Sequence, residues 1–581
     1  MPICLCRYLG VGALVASSLF SSLAEARSTR TVVLSGQQIP GADTGLLFGG
    51  FEEFGNGIRV AVIDNSGNTT FKGMLQVGSG GVTSATQHGL FQEHGVTVQT
   101  VVRSGDLAPG TNAPNNRFRT SFDQFSPFTD FSVNDVGEVA FLSELTAPGV
   151  IESLGTNTGI WSTDNGNLHL VARTGEKPPG TSADTIRFQS LSAPSISQSG
   201  KTSFSASLLR SLPSGSGRFE VSVWSEDNGT LQLVARDGDL APGAPDNQEF
   251  TTPLIGVASK RGLTGLKVIL DGDNGQTDSR WLIENEIPSL IAYDGSSAEE
   301  VEAGATLRFD SSDGFSANAA GQLAMVASIL PDGASQSEPS VILFDNNALS
   351  LVARAGTHAP GTPAEATFSF FGSQLIGSAG HVAFTGGLTR DIGGVVGGVN
   401  SLGVWSNGSG ALDLVAREGS QAPETPPGAL FDNLSLTAIN EAGQVVLTST
   451  LEIGVAGVTS NNDLGIWAAD TKGVLRLIAR EGDELEVDDN VFRTISSLTV
   501  QTAIGGIGGF NDLGQVAFAA TFTDGSSGVF VSDLAAVPEP SSLCFFCVAS
   551  TLIGLTSWPR TNQRSLSRGG VVGPLVEAAR S

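Results

Sequence analysis

The chain has 581 residues, of which 74 are glycine and 40% are hydrophobic, so it can bury a large core and its glycines separate many short elements. This composition argues against a largely disordered chain. The formal net charge is −27 and only 31 residues are Lys or Arg, which argues against nucleic-acid binding because phosphate contacts need clustered basic side chains.

The first 26 residues have the pattern of a secretory signal peptide. Arg7 supplies the positive charge, an apolar stretch follows from Tyr8 to Leu23, and Ala24 and Ala26 form a small-x-small cleavage site. The sequence therefore predicts export of the chain with cleavage before Arg27.

Residues 27–535 are a tandem repeat with a period of roughly sixty residues. Each unit has a short apolar strand with a large residue at one fixed position, a small turn, and then a strand similar to Leu170-Val171-Ala172-Arg173. The fixed position is tryptophan in five units: Trp161, Trp224, Trp281, Trp405 and Trp467. We interpret these rings as packing residues, with sugar stacking as the alternative.

A second motif, clearest from Asn134 to Phe141 and from Asn511 to Phe518, recurs between these strands. Its Asn and its Gly three residues later suit a tight turn, since Asn caps its own backbone and Gly accepts a positive φ. Eight glycines share this phase: Gly67, Gly137, Gly200, Gly262, Gly321, Gly380, Gly443 and Gly514. The motif resembles the NxxGxxAF tandem repeat of bacterial surface proteins, which implies a surface location and no particular chemistry.

Four strands per unit, and no segment with the length and periodicity of a helix, predict an all-β fold. We expect a β-propeller of eight four-stranded blades; seven blades, if the weak unit at Ser259 to Asp278 packs differently, and a β-solenoid are the alternatives. The last unit ends at Gly528 to Val531 without its final strand, while Thr31 to Gly36 is such a strand without a unit. The N-terminal strand is therefore predicted to complete the last blade and remove the exposed edge.

Six arginines end the repeated Leu-Val-Ala-Arg strands, and they are candidate ligands for an anionic polysaccharide because guanidinium binds carboxylate in a bidentate manner. The alternative is that each arginine holds its own loop through a carbonyl or a nearby acid. The residues are Arg103, Arg173, Arg236, Arg354, Arg417 and Arg480.

The weak unit contains a candidate Ca²⁺ site. Asp271, Asp273 and Asp278 place carboxylates around glycines, as in loops that surround Ca²⁺ with oxygen ligands. An Asn274-Gly275 hairpin turn is the alternative. In the same unit Tyr293 replaces the repeated arginine, which marks either a site or drift of the repeat.

The C-terminal region has three parts: residues 536–542 with Pro538, Glu539 and Pro540, an apolar segment at 543–559, and a basic tail at 560–581. The apolar segment is predicted to be a transmembrane or sorting helix, with a tail that is cytoplasmic or removed. This arrangement resembles the PEP-CTERM sorting signal, which implies recognition and cleavage by an exosortase.

No Gly-x-Ser-x-Gly motif and no His pair with metal-ligand spacing is present in the sequence. The sequence therefore predicts an exported surface protein, anchored or released to the extracellular matrix, whose repeat domain is non-catalytic and binds extracellular polysaccharide or other surface proteins. Two alternatives remain open: an exported glycan hydrolase or lyase on a propeller scaffold, and a structural surface-layer component.

Overall fold

A computed structural model describes residues 29–51, 61–111, 116–119, 128–146, 157–164, 166–181, 185–211, 217–227, 229–260, 262–272, 275–310, 314–502 and 508–534. They form an all-β propeller of eight blades, which confirms the predicted fold class and blade number. The seven-bladed and solenoid alternatives are wrong, because the weak unit at Ser259 to Asp278 belongs to a complete four-stranded blade.

The first four blades follow one another along the chain, and the first strand of a blade is often divided in two. Blade 1 contains β2 (Phe48–Gly50), β3 (Ala61–Ile63), β4 (Thr69–Leu75), β5 (His88–His94) and β6 (Thr97–Arg103). Blade 2 contains β7 (Arg117–Phe118), β8 (Phe128–Val133), β9 (Val139–Thr146), β10 (Thr158–Asp164) and β11 (Asn167–Arg173). Blade 3 contains β12 (Ile186–Leu191), β13 (Ser195–Ile196), β14 (Thr202–Ser211), β15 (Gly217–Asp227) and β16 (Thr230–Arg236). Blade 4 contains β17 (Glu249–Ser259), β18 (Gly262–Gly272), β19 (Gly275–Glu284) and β20 (Ile287–Tyr293).

The remaining blades repeat this plan, and blade 8 borrows its last strand from the N-terminus. Blade 5 contains β21 (Thr306–Arg308), β22 (Phe315–Ala317), β23 (Leu323–Leu330), β24 (Glu338–Asp345) and β25 (Ala348–Arg354). Blade 6 contains β26 (Phe368–Ile376), β27 (Val382–Leu388), β28 (Leu402–Ser406) and β29 (Asp413–Arg417). Blade 7 contains β30 (Phe431–Ile439), β31 (Val445–Leu451), β32 (Gly465–Ala469) and β33 (Leu475–Arg480). Blade 8 contains β34 (Glu484–Asp488), β35 (Val491–Val500), β36 (Gln515–Phe522), β37 (Ser527–Asp533) and β1 (Thr29–Leu34).

The ring closes through β1, which pairs antiparallel with β37 and places Thr31 opposite Phe530. Val33 and Leu34 of β1 are buried against the last blade. This pairing confirms the predicted closure by the N-terminal strand. It also covers the edge of β37, which would otherwise be the exposed outer strand of blade 8.

The tryptophans hold neighbouring blades together. Trp161 is fully buried, its ring lies 4.9 Å from that of Phe118 between centroids, and its core cluster includes Val102 of the preceding blade. Its indole Nε1 donates to the main-chain oxygen of Pro109 at 3.1 Å, in the loop that links the two blades. Because the five repeat tryptophans are fully buried, none offers a face for sugar stacking.

The described residues contain one 3₁₀ turn, at Pro245–Asn247, and no α-helix. Within these ranges, no helix is long and apolar enough to cross a membrane. The predicted signal peptide (1–26), with Ala24 and Ala26, lies outside the described residues. So do the sorting motif Pro538-Glu539-Pro540, the apolar segment at 543–559 and the tail at 560–581.

Candidate functional site

Antiparallel strands alternate in direction, so the connections of each blade lie at two opposite faces of the ring. We call the face with the Asn-Gly turns, between the first and second strands of a blade, the turn face. The opposite face, with the second-to-third and blade-to-blade connections, is the loop face. The first strand of each blade is nearest the axis, because turns of non-adjacent blades contact one another there.

The turn face is held by a repeated hydrogen bond between neighbouring blades. In four turns the first Asn donates from Nδ2 to the main-chain oxygen of the equivalent residue in the next blade. The pairs are Asn134 to Ser197 (2.8 Å), Asn318 to Gly377 (2.9 Å), Asn440 to Asn511 (3.3 Å) and Asn511 to Asp64 (2.8 Å). The motif that folds each turn thus also joins the blades.

Lys260 of blade 4 reaches across the axis to blade 8. Its Nζ donates to Asp512 at 2.6 Å and lies 3.6 Å from Asp135 of blade 2. Asn65 of blade 1 donates to both carboxylates, at 2.7 and 3.0 Å. We call Lys260, Asp512, Asp135 and Asn65 the axial network; because its carboxylates and its ammonium satisfy one another, it is a structural feature.

The loop face of blade 4 departs from the repeat. The residue before the tryptophan is aliphatic in blades 2 and 3, Ile160 and Val223, but it is Arg280 in blade 4, where the side chain is 0% exposed. The facing residue of β18 is Lys267, where blade 2 has Leu142. Arg280 thus places a cation where the other blades have an aliphatic residue, whereas the facing position varies and is Lys72 in blade 1 and Ser205 in blade 3.

Carboxylates and an aromatic ring surround these cations at the boundary of blades 4 and 5. Asp278, 16% exposed, lies 3.9 Å from Arg280, whose guanidinium carbon is 4.5 Å from the centroid of Phe309. Asp294, at the end of β20, accepts from Arg308 at 3.2 Å and from the Phe309 amide at 3.3 Å.

Asp310 follows Phe309 and is exposed. We call Lys267, Asp278, Arg280, Asp294 and Asp310, with Phe309, the charged cluster.

Burial raises the pKa of the Asp278 carboxyl above its usual value, Arg280 and Lys267 oppose this shift, and the charges of Asp310 and Asp294 add to it. A partly exposed carboxyl that keeps its proton to higher pH, beside carboxylates that are more exposed, is suited to general acid catalysis. Divergent environments for neighbouring carboxyl groups are a signature of functional sites.

Burial also raises the pKa of Glu418 and of Glu481, but both occupy a repeated structural position. Glu418 accepts from the Leu402 amide at 2.9 Å, and Thr174 accepts from the equivalent Thr158 amide at 3.1 Å. Since a threonine side chain accepts the same amide hydrogen bond at the start of the third strand, these glutamates are better explained as caps of that strand. Within the charged cluster, Asp294 occupies this same repeated position, since its amide donates to the Asp278 carbonyl as the Thr174 amide donates to that of Thr158. Asp278 and Arg280 are the members that depart from blade 2, which has Thr158 and Ile160 at their positions.

The six predicted arginines end the outermost strands of six blades, so the fold distributes them around the rim and does not bring them together. The side chains of four of them bind groups of their own or a neighbouring loop or strand. They are Arg236 with Asp239 (2.8 Å), Arg480 with Asp483 (2.6 Å), Arg354 with Glu302 (2.5 Å) and Glu338, and Arg417 with the Asn400 carbonyl (2.8 Å). The main-chain amide of Arg103 donates to Asp106, and Arg173 lies beside Glu176.

The predicted calcium ligands do not form one group in the described chain. Asp271 is exposed in β18 opposite Gln276, Asp278 lies in the charged cluster, and Asp273 is outside the described residues. Gly272 pairs with Gly275 across the hairpin. Within the described ranges, no three His, Cys, Asp or Glu side chains are placed to hold a metal ion.

Asp278 and Tyr293 of the weak unit were predicted as candidate site residues, whereas Arg280 and Lys267 were not. The signal was present in the sequence, because Arg280 directly precedes Trp281 where Ile160 precedes Trp161. A residue-by-residue alignment of the repeats would have identified this charge in an otherwise apolar position.

Three solved structures illustrate the similarity of the fold. They are an oligogalacturonate lyase in complex with manganese (8% identity, 86% of this chain and 99% of that chain, TM-score 0.32), an α-L-arabinanase from Penicillium chrysogenum (12%, 60% and 94%, 0.24) and a Trypanosoma rangeli sialidase (11%, 66% and 60%, 0.24). At these values the similarity concerns the fold and assigns no substrate. The prediction that the chain is not an enzyme is wrong, because these three similar structures are a lyase, an arabinanase and a sialidase.

None of the curated proteins compared with the chain has a detectably similar sequence. One family model matches in two successive stretches, residues 15–258 and 260–544, which together span most of the chain and the whole propeller. The protein therefore belongs to the family of unknown function DUF7453.

Proposed function

We propose that the protein is an exported enzyme that cleaves glycosidic bonds of an extracellular polysaccharide, as a hydrolase or a lyase. The observation that carries this proposal is the charged cluster, which replaces apolar packing in blade 4 and gathers carboxyl groups of different environment on the loop face. Export follows from the predicted signal peptide.

The carboxyl groups suit hydrolysis. Asp278 would donate its proton to the glycosidic oxygen as the bond to the leaving sugar breaks. Asp294 or Asp310 would accept a proton from the water that attacks the anomeric carbon. Arg280 and Lys267 are too buried to contact a polymer, so they would act as positioning residues that balance the charge of Asp278.

The predicted location is compatible with this role. The propeller begins at Thr29 and ends at Asp533, and Thr29 lies opposite Ser532, so both ends are on the turn face. The first and last strands of the described propeller therefore begin and end away from the loop face. We propose that the C-terminal segment with Pro538, Glu539 and Pro540 is processed by an exosortase-like enzyme, with the protein held at the cell surface or released to the matrix.

The test uses the full mature chain and the extracellular polysaccharide of the producing organism, together with neutral and uronic-acid glycans. New reducing ends measure cleavage, and ultraviolet absorbance of an unsaturated product separates elimination from hydrolysis. Asp278→Asn is expected to lower the rate by at least about 100-fold, the usual contribution of a general acid.

Asp271→Asn is the matched control, because Asp271 lies on the same hairpin, is exposed and is outside the charged cluster. We expect this variant to retain the wild-type rate. No new ends from any substrate, or equal rates in Asp278→Asn and the wild type, would contradict the proposed function.

A further inference from the structure

The innermost strands of different blades display one residue at an equivalent position near the loop face. In blade 7, the main-chain carbonyl of the buried residue Phe431 accepts a hydrogen bond from the amide of Gly419, and the same bond recurs in the other blades. The residue in question lies two positions after this acceptor. In blade 1 this position is Gly50, which has no side chain. The described residues with a side chain at this position are Ser190, Thr252, Phe309, Phe370, Asn433 and Ser497. All are exposed except Phe309, which is half-buried.

Phe370 differs from the other exposed residues at this position because its side chain is aromatic. Four of these residues carry a hydroxyl or an amide, and Phe309 is engaged with Arg280 of the charged cluster. Phe370 is 52% exposed on the next blade after Phe309. One exposed aromatic ring thus lies on the blade that follows Phe309, at a position where four other blades have a polar residue.

A glycine makes room for this ring. Phe370 pairs with Gly387 of β27, and a Cβ at Gly387 would overlap the Phe370 ring, so the ring lies against the backbone. Blade 3 has Ser207 opposite Ser190, and blade 8 has Thr521 opposite Ser497. Blade 6 therefore differs from these blades at both members of the pair.

This arrangement does little for the stability of the fold, since half of the ring remains in water and contributes less burial than a core residue. A planar apolar surface flanked by hydroxyl and amide groups matches a pyranose, which has an apolar face of C–H bonds and a polar rim. Asn433 on the following blade is exposed and can reach such a rim with its amide.

We propose that the exposed face of Phe370 is a binding subsite for one sugar ring of the glycan, next to the charged cluster. This inference rests on the proposed function for the identity of the ligand. The subsite contributes to binding, whereas Asp278 contributes to bond cleavage. The ring is a specificity element and not a catalytic residue.

The experiment measures binding of the producing organism's extracellular polysaccharide, and of oligosaccharides prepared from it by partial acid hydrolysis, to the full mature chain by calorimetry. Phe370→Ala is expected to weaken binding about fivefold to tenfold and to raise KM by a similar factor, with a smaller change in kcat. Phe370→Trp, which keeps an aromatic face, is expected to bind at least as well as the wild type.

The matched control is Phe492→Ala, because Phe492 is 53% exposed, is also aromatic and lies in blade 8, away from the charged cluster. We expect its binding to be unchanged. Equal binding by wild type and Phe370→Ala, an equal loss in Phe492→Ala, or no binding of these glycans by the wild type would overturn the subsite.

The two proposals fail in different ways. Binding that depends on Phe370 without any product would keep the subsite and reject the enzyme. Product formation that is indifferent to Phe370 would keep the enzyme and reject the subsite.

Discussion

The axial network on the turn face and the charged cluster on the loop face are both groups of charged side chains in a propeller with few charges, yet they differ in how the charges are satisfied. Asp512 accepts from Lys260, Asn65 and the Glu441 amide, which come from three other blades. Asp278 lies 3.9 Å from Arg280 of its own strand and is 16% exposed.

The pKa values of Asp512 and Asp278 are shifted in opposite directions, in agreement with this difference. Burial alone would raise the pKa of Asp512, but Lys260 and the hydrogen bonds from Glu441 and Asn65 hold it below its usual value. The pKa of Asp278 is raised by burial in spite of Arg280 and Lys267. A carboxylate fixed in its charged form stabilises a fold, whereas one displaced toward its neutral form is poised to exchange a proton.

The largest expected effect comes from making blade 4 resemble blade 2. The triple variant Lys267→Leu, Asp278→Thr and Arg280→Ile gives blade 4 the residues that blade 2 has at the equivalent positions, Leu142, Thr158 and Ile160. Replacing buried charges by apolar groups together is often neutral or stabilising. We therefore expect the melting temperature to change by no more than about 3 °C, while the cleavage rate falls by at least about 100-fold.

Calorimetry and the reducing-end assay check both halves of this expectation. A variant that unfolds would show that the charged cluster is structural. A stable variant with full activity would show that the reaction occurs elsewhere.

The next largest effect is expected in the axial network on the turn face. Here a substitution should lower the stability and leave the cleavage rate unchanged. Lys260→Met leaves Asp512 and Asp135 without their shared ammonium, so the free energy of unfolding should fall by about 3 kcal/mol, the usual cost of leaving a buried charge unpaired. Urea unfolding measures this change, and the cleavage rate of the folded fraction should be unaltered.

Adding Asp512→Asn to Lys260→Met removes one of the unpaired charges and is the control. It should recover part of the lost stability. Equal stability of wild type and Lys260→Met would contradict a structural role for the axial network.

A third prediction concerns acid. Burial lowers the pKa of His88 to about 4, from a usual value of 6.5. The unfolded chain thus takes up this proton as the pH falls below 6.5, whereas the folded chain does so only near pH 4. The contribution of His88 to stability is present above pH 6.5 and lost on acidification, by up to about 3 kcal/mol.

His88→Thr, with the residue that blade 2 has at this position, should flatten this part of the stability profile. His169 provides a contrast, because its hydrogen bond with Glu226 raises its pKa, so its contribution is lost as the pH rises. Urea unfolding between pH 4 and pH 8 distinguishes the two histidines. A profile of His88→Thr identical to that of the wild type would contradict the assignment.

The fold could be predicted from the sequence because its determinants are local and repeated. The period, the turn motif at Asn134 and the unpaired strand at Thr31 each constrain neighbouring residues, and their repetition supplies the architecture. The candidate site could be predicted only in part. Asp278 was identified, but as a metal ligand.

The missing information is long-range. Arg280 meets Phe309 across a blade boundary, and Lys260 meets Asp512, which is 252 residues away along the chain. Such contacts follow from how the ring closes and from blade 4 lying opposite blade 8 in it. No local pattern of the sequence encodes them.

The smallest effect tests whether the closing seam differs from other blade boundaries. Asn511→Ser removes the hydrogen bond to Asp64 of the next blade, and Asn318→Ser removes those to Gly377 and Ser378. Both variants retain a hydroxyl that can cap the turn as Ser197 does. Each should cost about 1 kcal/mol in the free energy of unfolding.

Of the two residues, only Asn511 binds across the boundary between blades 8 and 1. This is the boundary at which the ring closes, because β1 pairs with β37 but does not follow it along the chain. Hydrogen exchange of the β1 amides should therefore accelerate in Asn511→Ser and not in Asn318→Ser, because local opening requires the release of β1 alone. Equal exchange in the two variants would mean that the seam is as cooperative as the covalently linked boundaries. The ring would then open by global unfolding, and closure by β1 would be equivalent to a covalent connection.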